Sequence, residues 1–214
     1  MITNYESAAF AQCYKMTEND IDAFAECLAK GFKNYPLFEY ASLYKYDIEK
    51  AKSFWSATLK IVGKYGLCYA SDRRINSVMI YLPPETHEPG AWEYIQNNCL
   101  REILSTGLIA TLRLVRFDAI ANSIANRHKT KNCGYLMAIA TLPEMQKAGQ
   151  GKKLLNALIA YLNISHQDCY LETLKAGNVP LYEHFNFTLK ETSHKLSSKL
   201  PIFAMLYKSL CIPR

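Results

Sequence analysis

The chain has 214 residues, half of them hydrophobic and 21% charged, an ordinary globular composition that excludes a mainly disordered chain. No apolar run approaches about 18 residues, since even the stretch 106–115 is interrupted by Arg113, so a membrane-spanning helix is not expected. The net charge of +6 favours anionic partners in general, but the basic residues are scattered, no nucleic-acid-binding motif is present, and the one basic run, Arg127-His128-Lys129-Thr130-Lys131, reads as a solvated loop.

The length fits one domain over 1–214. Met1 to Glu6 contains no basic segment ahead of an apolar block, so a secretory leader is not expected and the reading is cytoplasmic. The seven cysteines are widely spread with no C-x-x-C pair, which predicts reduced thiols, mostly in the core. Asn163-Ile164-Ser165 and Asn186-Phe187-Thr188 are then chance sequons.

Residues 19–33 place Ile21, Phe24, Ala25, Leu28 and Phe32 at helical spacing, with Asn19 or Asp20 as N-cap and a stop before Tyr35-Pro36. Lys45 to Lys64 is a second helical stretch closed by Gly63 and Gly66. Gly66 to Ser71 and Ser77 to Leu82 flank Asp72-Arg73-Arg74-Ile75-Asn76 and predict a β-hairpin, stopped by Pro83-Pro84. From Ala91 to about Arg127, two or three helices are expected. The breadth of their apolar band favours core helices over an amphipathic membrane-surface segment, although Arg101, Arg113 and Arg116 keep the second option open. Cys133 to Leu142 is apolar on both alternating faces and predicts an interior strand at the centre of the sheet. A helix over Gly151–Ile164, a strand over Asp168–Leu174, a short helix over Val179–Phe185 and at least one strand in Lys199–Lys208 complete the chain.

The loop that joins the central strand to the following helix, Pro143 to Lys152, carries glycines at 149 and 151. Such a loop can turn backbone N–H groups toward an anion, and the helix N-terminus adds roughly half a positive charge. It is no nucleoside-triphosphate loop, because positions 146 and 153 are Gln and Lys, and no dinucleotide fingerprint, because position 154 is Leu. From the two glycines alone, a plain strand-to-helix connection stays open beside a pyrophosphate cradle.

The stretch 135–155, YLMAIATLPEMQKAGQGKKLL, resembles the acetyl-coenzyme A segment of the GNAT superfamily of N-acetyltransferases. Its pattern Q/R-x-x-G-x-G/A is met by Gln146, Gly149 and Gly151. A second block, Asn178-Val179-Pro180-Leu181-Tyr182-Glu183-His184-Phe185-Asn186-Phe187, is similar to the family's N-V-P-L-Y-E-x-x-G-F and follows in the right order. The chain departs from the pattern at Asn186, where the family has glycine but where asparagine can still take a left-handed conformation, and at Thr141, where Val is common. The helical insertion of about 85–131 is also less typical.

The resemblance implies an α/β fold with a mixed, mainly antiparallel central sheet flanked by helices. It implies an acetyl-CoA-dependent N-acetyltransferase in which an amine attacks the thioester directly. The coenzyme would enter where the strands ending near Leu142 and Leu174 splay apart. Ile139 and Thr141 would pair their backbone groups with the pantetheine arm, Gln146, Lys147, Ala148, Gly149, Gln150, Gly151 and Lys152 would hold the pyrophosphate, and Asn178 would contact the arm, a role that competes with capping the short helix. Tyr182 matches the family's general acid, a phenol that keeps its proton at neutral pH, although a tyrosine packed at a helix edge reads the same way. Glu172, interrupting an apolar strand, is the candidate general base, directly or through water. His184 reads as a surface residue, His87 and His128 have no partner visible in the sequence, and no metal site is expected. Tyr35-Pro36-Leu37-Phe38 lies where the family often lines its acceptor pocket. The expected partner is a small-molecule or peptide amine acceptor, with neither nucleic acid nor stable membrane insertion. The alternative is a catalytically silent coenzyme-binding or regulatory module that docks a protein or membrane through the 91–127 helices.

Overall fold

The computed structural model describes residues 4–41, 46–97, 99 and 107–210. In chain order the elements are α1 (Asn4–Ala9), β1 (Tyr14–Lys15), α2 (Ile21–Gly31), α3 (Pro36–Ala41), α4 (Ile48–Val62), β2 (Leu67–Ala70), β3 (Ser77–Leu82), α5 (Ala91–Gln96), α6 (Leu108–His128), β4 (Cys133–Thr141), α7 (Gln150–Ser165), β5 (Asp168–Thr173), α8 (Asn178–His184), β6 (Phe187–Ser197) and β7 (Leu200–Tyr207). The strands form one seven-stranded sheet in the order β1-β2-β3-β4-β5-β7-β6, antiparallel throughout except for the central β4–β5 pair.

Side chains alternate across a strand, and in β3 this alternation feeds two cores. Val78, Ile80 and Leu82 pack under α2 and α4, while Met79 and Tyr81 pack under α7. In β4 the alternation is interrupted: Ile80 pairs with Ala138 but Tyr81 with Leu136, so Met137 is the extra residue of a β-bulge. The bulge places Tyr135 and Ala138, an odd and an even position, in the same core. Gly31 closes α2 against this strand, because a Cβ there would lie 2.8 Å from the Ala140 Cβ.

Several local expectations are corrected. Asp20 holds the N-cap position of α2, but its side chain makes no cap hydrogen bond there; it accepts from the Thr17 backbone N–H at 2.8 Å and from the Thr17 hydroxyl at 2.6 Å, and so stabilises a 3-10 turn at Glu18–Asp20 that leads into the helix. The break at Tyr35-Pro36 opens a short helix, since proline suits a helix's first position. β6 is not marked as a strand by its sequence, FTLKETSHKLS, which is mostly polar and exposed, as an edge strand's can be. The basic run at 127–131 is only partly a loop. Arg127 and His128 end α6, and both pair with Glu191, at 2.6 and 2.7 Å.

The reading of α6 as a core helix holds for its second half alone. Phe117, Ala121, Ile124 and Ala125 are buried, but Leu108, Ile109 and Leu112 are 68%, 52% and 59% exposed. Arg113 turns inward, donating to the Tyr40 carbonyl at 2.8 Å. Arg101 lies outside the described residues, as does Cys211.

Candidate active site

β4 and β5 pair only through Cys133:Asp168, Gly134:Cys169 and Tyr135:Tyr170. Beyond these residues each strand stays bound to its outer neighbour, β4 to β3 as far as Thr141 and β5 to β7 as far as Thr173, so the two diverge. Leu142 donates its N–H to Asn76 at 2.9 Å. In the antiparallel register this makes 140:78 and 138:80 the hydrogen-bonded pairs and turns the N–H and C=O groups of Ile139 and Thr141 into the gap. A cavity of about 1170 Å³ fills the gap and runs under α6.

One end of the cavity is made largely of backbone. Lys147 and Gly149 both adopt left-handed conformations, with φ of 64° and 77°. These turns bring the chain to the N-terminus of α7, where the N–H groups of Gln150, Gly151 and Lys152 have no acceptor within the helix and that of Lys153 is the first one spent, on the Gly149 carbonyl at 3.0 Å. The two glycines serve different ends. At Gly149 a Cβ would meet nothing within 4 Å and the demand is conformational, whereas at Gly151 it would lie 3.3 Å from the Thr141 hydroxyl. Gln146, Lys147, Gly149, Gln150, Gly151 and Lys152 line the cavity; Ala148 does not, because its N–H turns back toward the Met145 carbonyl.

Tyr182 and Asn178 approach from α8. Tyr182 is 7% exposed, its hydroxyl has no hydrogen-bond partner among the described residues, and burial holds its pKa above the ordinary tyrosine value. Asn178 is the first residue of α8 and not its cap; its side-chain amide donates to the Thr173 hydroxyl at 3.0 Å. Tyr35 joins the same network, accepting from the Leu174 N–H at 3.0 Å and lying 3.3 Å from the Thr173 hydroxyl. Asn186, with φ of 63°, ends the α8 turn in the left-handed conformation open to it.

Glu172 stands on the α6 face of β5, where Tyr135 donates a short hydrogen bond to its Oε1. Burial raises its pKa to about 7 against the opposing pull of that hydrogen bond and of Lys129. The Tyr170 hydroxyl approaches the same carboxylate but makes no well-aligned hydrogen bond.

Two acidic residues that sequence reasoning missed share this end. Glu88, from the loop after β3, and Asp118, from α6, line the cavity, and burial raises each to about 7. Asp118 keeps accessible surface because it opens into the cavity, while the surrounding protein still crowds it. A signal existed for Asp118, the sole acid in the 21 residues of α6. Glu88 gave none. Aromatic rings from α2 to α4, including Phe32, Tyr35, Phe38, Phe54 and Trp55, close the wall and pack against one another, Phe32 stacked on Trp55 and the other pairs edge-on or tilted. His184 is exposed at the cavity mouth, whereas His87 and His128 each have a carboxylate partner, Glu93 at 3.0 Å and Glu191 at 2.7 Å. Among the described residues, no three His, Cys, Asp or Glu side chains are placed to hold a metal ion.

A model described as the acetyltransferase (GNAT) family matches residues 37–187. No curated protein matches the chain at a significant level. Among solved structures, the chain is similar to a Corynebacterium glutamicum protein described as histone acetyltransferase HPA2 and related acetyltransferase, with 18% identity, a TM-score of 0.67 and coverage of 95% of this chain and 98% of that one. An N-acetyltransferase from Staphylococcus aureus gives 13% identity and a TM-score of 0.62, covering 91% and 98%. The polyamine N-acetyltransferase of Drosophila melanogaster gives 13% and 0.59, covering 92% and 98%. At these identities the likeness is one of fold.

Proposed function

The chain belongs to the GNAT acetyltransferase family, and on that premise we propose that it transfers the acetyl group of acetyl-coenzyme A to a primary amine by direct attack. The observation that carries this reading is the shared cavity: the diverging strands, the free N–H groups of α7, Tyr182 and Glu172 all open into it. The residues present suit the coenzyme. The left-handed turns at Lys147 and Gly149 leave room beside the helix N-terminus for phosphate, and the unpaired edge of β4 at Ile139 and Thr141 offers an extended chain of amides a strand to pair with. Bound there, the coenzyme supplies an acetyl group activated as a thioester.

The acceptor arrives as an ammonium, with a pKa near ~10.4 for a lysine-like amine, and cannot attack until it loses a proton. Glu172, with its pKa near neutrality, takes that proton in this reading, directly or through water. As the C–N bond forms and the C–S bond breaks, the nitrogen gives a second proton to water. The departing sulfur takes one from the Tyr182 hydroxyl, which solvent then restores, so each turnover releases one net proton. Burial helps Tyr182 hold its proton until the sulfur leaves. No partner among the described residues holds the hydroxyl back from that donation.

Thiol release with acetyl-coenzyme A and a panel of primary amines tests the reading. Turnover supports it. Coenzyme binding without turnover on any amine supports the silent module instead.

A further inference from the structure

The end of the cavity opposite the α7 cradle carries more negative charge than amine deprotonation needs. Glu172 alone can accept the proton, yet Glu88 and Asp118 open into the same space. Each carboxylate raises the pKa of another: Glu172 acts on Glu88, Glu88 on Asp118 and Asp118 on Glu172. Neither Glu88 nor Asp118 has a hydrogen bond or ion pair among the described residues. Tyr170, fully buried, brings its hydroxyl to the Glu172 carboxylate of this cluster without a well-aligned hydrogen bond.

Among the described residues, the charged groups around the cluster do not balance it. Lys129, at the end of α6, lies 4.7 and 5.4 Å from the Tyr135 and Tyr170 ring centres and acts on Glu88 and Glu172. Glu191 of β6 is already paired with Arg127 and His128. Three carboxylates against one ammonium leave two negative charges when all are ionised. A single metal ion does not answer them, since the three are not arranged as ligands. An organic dication can, with its methylenes against the aromatic wall of Phe54, Trp55 and Tyr94.

We infer that the acceptor is a linear aliphatic diamine whose reacting nitrogen lies at Glu172 and whose second ammonium is held by Glu88 and Asp118. This rests on the acyl-transfer reading and gives the insertion before β4 a task, because both added carboxylates come from it. Asp118 and Asn122 sit one turn apart on the α6 face that lines the cavity, with Thr111 and Leu114 further along it. Empty, the cluster keeps part of its protons near neutrality; the arriving dication favours the ionised forms, so binding should release protons to the buffer.

The test compares 1,4-diaminobutane and 1,5-diaminopentane with 1-aminobutane as acceptors for acetyl-coenzyme A. The diamines should show kcat/KM higher by about tenfold or more, as expected for pairing a second charge in a partly desolvated cavity. Glu88→Gln with Asp118→Asn should raise KM for the diamine at least about tenfold and bring the diamine-to-monoamine ratio toward unity, while Asp118→Glu, which keeps the charge, restores part of the preference. Circular dichroism and coenzyme A binding check that the variants fold. Calorimetry with 1,4-diaminobutane in two buffers of different ionisation heat reads binding and proton release without turnover, and the double variant should lose both. Equal kcat/KM for diamine and monoamine, a better rate with a lysine-bearing peptide, or no calorimetric binding of the diamine overturns the inference. Failure of the acyl-transfer reading looks different: no coenzyme binding and no thiol release with any amine.

Discussion

The two ends of the cavity are built from different materials. The α7 end uses backbone N–H groups, two left-handed residues and one helix terminus, all from a single contiguous loop, Gln146 to Lys152. The α6 end uses side chains from β5, α6 and the loop after β3, and its character comes from desolvated carboxylates that have lost their ordinary acidity. Backbone donors cannot be deleted one at a time and have no titration, so the first end should fail mainly through shape. The second should respond to pH and to single charge changes.

The largest expected effect falls where the ends meet. Tyr182→Phe should lower kcat by about 10²–10⁴-fold, the usual worth of general-acid assistance, while coenzyme affinity stays nearly intact. Phenylalanine keeps the ring that packs edge-on against Phe187, so lost chemistry is separated from lost structure. A parental rate with chemistry rate-limiting would demote Tyr182 to packing.

Next comes the cradle. Coenzyme A should raise the melting temperature, by the equivalent of about 2.7 kcal/mol at a hundredfold excess over Kd, and Gly149→Glu or Gly151→Glu should remove that shift. A Gly149→Ala change, which adds no charge and meets no neighbour, isolates the left-handed backbone and should cost about 1 kcal/mol of stability. No shift for the unmodified protein at millimolar coenzyme would contradict the cradle.

The acidic end sets the pH behaviour. The base must be ionised, so kcat/KM should rise as the pH passes upward through about 7, the pKa to which burial lifts Glu172. Tyr135→Phe removes a hydrogen bond that favours the carboxylate, and the rising limb should move to higher pH. Stability should run the other way. A carboxyl raised from 4.5 to about 7 on folding binds its proton more tightly in the folded state, so what it contributes is present at acid pH and is lost as the pH climbs through about 7. Melting curves between pH 5 and 8 should therefore flatten in Glu172→Gln relative to the parent.

The smallest effect lies outside both ends. Arg127→Ala breaks a half-exposed pair with Glu191 that His128 still partly satisfies, and should cost at most about 1 kcal/mol in chemical denaturation with no change in kinetics.

The sequence by itself determined the features that depend on neighbours in the chain. Helical spacing placed α2, α4 and α7, two-sided apolarity marked β4 as the central strand, and the two motif blocks located the loop and Tyr182. Even the departure at Asn186 was readable, because a left-handed stop is a property of one residue. Tertiary structure decided the rest. β6 carries a polar sequence and becomes a strand because β7 offers it an open edge. The bulge at Met137, which puts Tyr135 on the face of Glu172, exists only in the register between β3 and β4. Glu88 is unremarkable in sequence and Asp118 stands out only as the sole acid of its helix; only folding brings three segments close enough for their carboxylates to feel one another in a shared low-dielectric cavity. Local dihedral preferences can be read from short windows, but desolvation and charge coupling belong to groups the chain assembles from a distance.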